Sequence, residues 1–446
     1  MKNAKSTARR ALLVGLGKTG ISCARHLARA GWSMVATDSR AEPPGRAEFL
    51  ALAPGARLSC GAFDVDLLTG VDLVVASPGV ALTESIFTAA RGRGLDVVGD
   101  IELFARDVAA PVIGITGTNG KSTVTTLLGR MAERAGIRVK VGGNLGLPAL
   151  DLLGDACAEL YVLELSSFQL DTTESLRLLA ATVLNVTPDH MDRYRTLADY
   201  ASSKARIYAH CGTAVINQDD PIVAAMPSPE ARRVGFSLGQ IAAEYSVQLA
   251  SGQPWTLTRL GQPLLSAAQM RLTGLHNAAN ALACTALGDA AGIPLQVMID
   301  ELREFTGLPH RSQWVAEVRG VRYINDSKGT NVGATLAAIA GMPGSLLLIA
   351  GGDGKGQDFS PLATALHGKV RHALLIGRDA ALIARAIQGA CSVQLCADLA
   401  AAVNAAAQSA RAGETVLLSP ACASLDMFRD YAHRGDEFER AVRRLN

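Results

Sequence analysis

The sequence predicts an α/β protein made of three successive blocks, each a mostly parallel sheet covered by helices. Three observations carry this. Short apolar strands alternate with segments of helical composition in three separate stretches. Glycine-rich turns follow the opening strands of the first two blocks. The length of 446 residues leaves room for two to four domains at roughly 100 to 200 residues each. Three are expected, at 1–100, 101–306 and 307–446, with the polar segment TGLPHRSQ at 306–313 as the second junction.

The first block holds the strands ALLVGLG, SMVATDS and VDLVVASPGV. Its opening turn carries Gly15, Gly17 and Gly20 in a G-x-G-x-x-G pattern, and Asp38 lies eighteen residues beyond the last glycine. Glycines so spaced permit a tight turn and let a pyrophosphate approach a helix start, while the acidic residue can take a ribose hydroxyl, so the block reads as Rossmann-like. Taken alone the fingerprint favours an NAD-dependent dehydrogenase. What it selects physically is a nucleotide diphosphate, which a UDP-sugar supplies equally well. Ser77, Pro78 and Gly79 end a strand on the side where open α/β sheets bind ligands.

The second block opens with the strand PVI and the loop GITGTNGKST at 114–123, a variant of the phosphate-binding pattern with Ile115 where glycine is usual. Gly117 and Gly120 free successive backbone N–H groups to curl round an anion, and Thr118, Asn119 and Thr123 complete the loop. Lys121 is expected against the β- and γ-phosphates and Ser122 in a magnesium shell. Further strands are ELYVLELSS, ATVLNVT and TAVIN, after which GFSLG, AEYSVQL and WTLTRLGQPLL are expected as short hairpin strands forming a small antiparallel subregion. Glu164 closes one apolar strand and needs a partner, water or a metal. His190 follows another and could join Glu164 in a metal shell, whereas the adjacent Asp189 reads as a helix cap. Lys204 shares a helical face with Tyr200, Ala201, Ile207 and Tyr208, which desolvates its amine and favours the neutral form, unless the side chain snorkels to water.

The third block, again Rossmann-like in its alternation, places polar clusters at three strand ends: 325–330, 351–355 and 419–424. Lys328 and Lys355 supply cationic donors, and Ser424 precedes a stretch of helical composition whose start could receive a carboxylate. Composition removes other functions. A net charge of +2 without basic blocks and 4% aromatic content give no footprint for nucleic acid. No run approaches 18 apolar residues, so no membrane span is expected. The eight cysteines contain no C-x-x-C pair and read as reduced thiols of a cytoplasmic protein.

GTNGKST, ELSSFQL, NVTPDHMDRY, GLHNAANALA, GLPHR, NDSKGTN, GGDGK and LSPACASLDMF occur in that order along the chain. Together they resemble the Mur ligases, and SPACASLDMF with the compact first block resembles the branch that adds glutamate. The resemblance implies an ATP- and magnesium-dependent amide ligase of peptidoglycan precursor synthesis. It would take UDP-N-acetylmuramoyl-L-alanine and D-glutamate, acting as a monomer. By the resemblance, Lys121 and Ser122 hold ATP and a first magnesium; Glu164, His190 and a carbamylated Lys204 hold a second near the acyl group. Asn277, Arg311, Asp326 and Lys328 would complete the nucleotide site. Thr19, Asp38, Ser39, Arg40, Ser77, Pro78, Gly79, Asn144 and His190 would take the muramoyl substrate. Thr330, Lys355, Ser424, Leu425 and Tyr431 would lie near incoming glutamate. If the first block bound NAD the chain would be an oxidoreductase, but the sequence offers no spare acid–base pair near a nicotinamide pocket; if the loop were a switch it would be a nucleotide-gated binding protein, whose third block would have no reason to carry Lys328 and Lys355.

Overall fold

The computed structural model describes residues 9–154, 157–227, 231–239, 241–249, 254–272, 274–342 and 344–445. Its strands form three sheets. The first has the order Leu58–Cys60, Ser33–Asp38, Arg10–Val14, Leu73–Ala76, Asp96–Val98, all parallel. Its opening turn uses each glycine differently. Gly15 has φ 94°, in the left-handed region, and a Cβ on Gly20 would fall 2.0 Å from the Gly15 carbonyl oxygen, whereas nothing stands within 4 Å of one on Gly17. Gly17 is therefore the position left open for a ligand, and Gly20 the one that lets the helix Lys18–Arg29 pack close.

The second sheet centres on Val112–Thr116, flanked by Leu160–Glu164 and Leu178–Val183, so the phosphate-type loop emerges between two strands buried along most of their length. Arg232–Ser237 corrects the hairpin expectation, because it pairs parallel with Cys211–Asn217 and extends the main sheet. Among the described residues of this sheet, only the ladders from Tyr245–Gln248 through Thr256–Arg259 to Gln262–Ser266 are antiparallel. The third sheet is parallel except for its edge strand Gln313–Val318, which runs against Val321–Asn325. Residues 305–312 between the second and third sheets are irregular, with left-handed backbone at Gly307, His310 and Ser312. Among the described residues no helix is long and apolar enough to cross a membrane.

Two of the three units are bolted together. Ser22 and Arg25 on the first unit's helix donate to the two oxygens of Asp151, at 2.9 and 2.7 Å, and Lys18 donates to the Gly146 carbonyl at 2.6 Å. Arg193 reaches back from the second unit to the carbonyls of Pro78, Gly79 and Val80 while its guanidinium lies 4.3 Å from the Phe168 ring centre.

Candidate active site

The loop at 117–123 owes its shape to Gly117 (φ 146°) and Gly120 (φ 86°), and the helix Lys121–Arg134 begins directly after it. Thr118 and Asn119 are held from below: the Thr118 N–H donates to the Asn185 carbonyl and the Asn119 N–H to the Asn185 side chain at 2.8 Å. Lys121 folds over its own loop, donating to the carbonyls of Gly117 and Thr118 at 2.8 Å each. Burial lowers its pKa against the pull of Glu164 and Asp189.

Glu164 is 3% exposed and accepts from Ser122 Oγ at 2.5 Å and Asn144 Nδ2 at 2.7 Å. Burial would raise its carboxyl, yet Lys121, Ser122, Asn144 and Arg311 hold it below the ordinary range, so it stays an anion among donors. Arg311 crosses from the third unit to donate to Ser122 Oγ at 2.6 Å. Lys204 is 1% exposed, which rules out snorkelling. Its amine donates to the Gly117 carbonyl at 2.9 Å and lies 4.4 Å from the Tyr200 ring centre. Burial first, and Lys121 second, push it well below the usual lysine range, toward the neutral form.

His190 has left-handed backbone (φ 59°) and packs edge-on against Phe168, with ring centres 4.9 Å apart. Burial holds it neutral against the pull of Asp189. It makes no hydrogen bond to Glu164 or Lys204, and among the described residues no three His, Cys, Asp or Glu side chains are grouped to hold a metal. Asp189 is not a helix cap, since the next helix begins at Leu197 on its own Thr196 cap. It is an anchor between units: Lys355 donates to it at 2.8 Å and Asn331 at 3.2 Å, and Asn331 also donates to Asn119 at 3.2 Å.

A cavity of about 300 Å³ opens over the loop, lined by Asn119, Gly120, Thr123 and Asn277 from the second unit and by Arg311, Asp326 and Lys328 from the third. Asp326 accepts from Ser419 Oγ at 2.8 Å and the Ser312 N–H at 2.9 Å, and burial raises its pKa to about 6. Lys328 stands 4.0 Å from the Tyr431 ring centre, its pKa lowered to about 8 by burial and then by Arg311 and Lys121. Thr330 follows the turn in which the Gly329 N–H donates to the Asp326 carbonyl. No helix follows Ser424, contrary to expectation; residues 421–430 form turns and the last helix starts at Tyr431. Ser424 is buried, whereas Leu425 is 72% exposed.

At the first unit, Ser77 and Pro78 line a cavity of about 330 Å³ together with Phe168, Arg193 and Tyr194, while Thr19 sits in the first turn of Lys18–Arg29. Asp38 departs from the ribose reading. Its two oxygens accept from the Leu16 N–H at 2.7 Å, the Arg40 N–H at 2.9 Å and the Arg40 guanidinium at 2.7 and 2.9 Å. Burial would raise its pKa, and these donors bring it to about 2. Asp38 therefore shapes the loop and aims the exposed Arg40 beside exposed Ser39. The most consequential residue that the sequence did not disclose is Arg434, 1% exposed, which ties the Ser327 turn to the carbonyls of Cys422 and Ala423.

Three family models match the chain in this same order. They are the Mur ligase MurD-like N-terminal domain over residues 9–99, the Mur ligase middle domain over 115–288, and the Mur ligase glutamate ligase domain over 310–422. The chain belongs to the Mur ligase family. It is 52% identical over 437 residues to the UDP-N-acetylmuramoylalanine–D-glutamate ligase of Nitrosococcus oceani, covering 97% of this Mur ligase and 96% of that one. The enzyme of the same name from Methylococcus capsulatus is 49% identical, with 98% and 95% covered. Among solved structures, the UDP-N-acetylmuramate–alanine ligase of Thermotoga maritima superposes with a TM-score of 0.61 at 18% identity, covering 98% of this chain and all of that one. The MurF ligase of Thermotoga maritima, solved in complex with ADP, gives a TM-score of 0.61 at 16% identity, with 99% and 97% covered. These two likenesses establish the shared fold.

Proposed function

We propose that this Mur ligase joins D-glutamate to UDP-N-acetylmuramoyl-L-alanine in an amide bond, with ATP cleaved to ADP and phosphate. The observation that carries the reading is the cleft where the phosphate-type loop of one unit meets Arg311, Asp326 and Lys328 of another. The near-50% identity to D-glutamate ligases over almost the whole chain supports the choice of substrates. The working division is 1–100 for the UDP-muramoyl substrate, 101–306 for ATP, and 307–446 for ATP and glutamate together. Both nucleotide substrates belong to the cytoplasm, and the chain acts as a monomer.

The γ-phosphoryl group passes to the substrate carboxylate, the amine of glutamate attacks the acyl carbon, and the tetrahedral intermediate expels phosphate. Lys121 leaves the carbonyls of its own loop to meet the phosphates, and Arg311 neutralises charge from the far wall. Thr330, Lys355, Ser424, Leu425 and Tyr431 surround the incoming amino acid. The donor set suits magnesium, a hard cation: Ser122 Oγ and Glu164 already lie together, and both are oxygen ligands. Magnesium supplies charge neutralisation for phosphate and acyl oxygens. Lys204, buried beneath the loop with its amine pushed toward the neutral form, is suited to take up carbon dioxide as a carbamate, which would supply an anionic oxygen; Glu164 and His190 would hold the ion with it. The test is phosphate release with the muramoyl substrate and a panel of amino acids. D-Glutamate alone should support turnover; equal rates with lysine or diaminopimelate would contradict the assignment, and preference for L-glutamate would reverse its handedness.

A further inference from the structure

The helix Leu275–Ala290 starts at Gly274, and its second residue, His276, lines the cleft cavity. The imidazole is wedged between two glycines from different units. A Cβ on Gly274 would stand 2.9 Å from His276 Cε1 and 3.0 Å from Nδ1; one on Gly341, at the end of the helix Val332–Gly341, would stand 3.2 Å from Nδ1 and 3.3 Å from Cε1. Both positions thus leave room for the ring and for no side chain of their own. Nδ1 is fully buried without a hydrogen-bond partner. Burial also disfavours the charged imidazolium.

A neutral imidazole carries one proton. Placed on Nδ1 it would be a buried donor without an acceptor, so the tautomer of lower cost keeps the proton on Nε2. Because His276 lines the cavity and Nδ1 is sealed away, Nε2–H is the ring group that faces the cavity. The same cavity offers Leu184, Phe236 and Leu272 to a flat apolar ring and Arg311 and Lys328 to phosphates. We propose that His276 reads the nucleobase of the bound nucleotide by donating from Nε2 to an acceptor nitrogen of a purine ring. The inference rests on the reading of this cleft as the ATP site.

The test uses the intact protein, ATP, and three ATP analogues in which N1, N3 or N7 of adenine is replaced by C–H. One analogue should bind about threefold to tenfold more weakly than ATP, the value of one hydrogen bond. His276→Phe should lose the same factor for ATP and no longer distinguish that analogue from ATP. If the bulkier ring does not fold between the glycines, His276→Asn, which is too short to reach the cavity with a donor, should show the same loss of discrimination. The proposal is overturned if all three analogues bind the unmodified protein as ATP does, or if the variant keeps the discrimination. Failure of ATP itself to bind would overturn the nucleotide reading of the cleft, an outcome distinct from either.

Discussion

Arg434→Lys should destabilise the C-terminal unit by about 1–3 kcal/mol while leaving its charge in place. The guanidinium donates from Nε to Ser327 Oγ at 3.0 Å, from Nη2 to the carbonyls of Ser327 at 2.8 Å and Cys422 at 3.1 Å, and from Nη1 to those of Cys422 at 3.1 Å and Ala423 at 3.3 Å. Two of these acceptors have other partners: the Ala423 carbonyl receives the Asp353 N–H at 3.0 Å, and Ser327 Oγ donates to the Tyr431 carbonyl at 2.7 Å. The carbonyls of Ser327 and Cys422 depend on the fork. A lysine carries its donors on one nitrogen and serves one of the two, so a single buried carbonyl is orphaned at the quoted cost. An ammonium is more strongly hydrated than a guanidinium, so burying the lysine adds to this cost rather than reducing it. Calorimetry should show the transition of this unit lowered by on the order of 5 °C, and amide exchange should accelerate at Cys422 and Ala423. The KM for glutamate should rise because the 327–330 and 422–425 loops part. A lysine variant within about 0.5 kcal/mol of the parent, at the floor of a single net hydrogen bond, would refute the reasoning.

Lys204→Ala should abolish ligation with the fold intact, and acetate should partly restore turnover by filling the anionic position; near-normal turnover without added carboxylate would remove the carbamate from the account. Asp38 contributes stability that is present above its unfolded pKa near 3.8 and is lost as pH falls through its folded value of about 2. With Arg40 half exposed, that contribution is about 1 kcal/mol, and Asp38→Asn should flatten the stability profile between those two pH values in acid denaturation. Asp189→Ala removes the acceptor of both Lys355 and Asn331. It should increase the ligand-free radius of gyration, because the tie between the two units is lost; identical scattering before and after substitution would count against Asp189 as that tie.

What the sequence made legible was local. Gly117, Gly120, Lys121 and Ser122 lie within six residues, so spacing alone describes the loop they build. Lys204 was visible because a helical period is also local, although the period did not reveal that the amine bonds the Gly117 carbonyl and never reaches water. Contacts between units were illegible. Asp189 looks like a cap next to its neighbours, and only folding brings Lys355 and Asn331 to it. Arg434 sits in a helix rich in charge, where solvent is the default expectation, and its burial follows from carbonyls of distant turns. Asp38 carries the spacing of a ribose ligand, but the Leu16 N–H and Arg40 already occupy its oxygens. Arg232–Ser237 alternates like a hairpin strand, and its parallel partner, Cys211–Asn217, lies a connection away and cannot be read from the local alternation.

The central claim is that the cleft between the phosphate-type loop and Arg311, Asp326 and Lys328 activates a carboxylate by phosphorylation. Turnover of UDP-N-acetylmuramoyl-L-alanine carrying ¹⁸O in its carboxylate, with D-glutamate and ATP, tests it most directly through mass analysis of the released phosphate. One labelled oxygen should pass into inorganic phosphate for each amide formed, because the acyl carbon loses that oxygen when the amine displaces phosphate. Unlabelled phosphate accompanying amide formation would contradict an acyl phosphate and, with it, the account of this site.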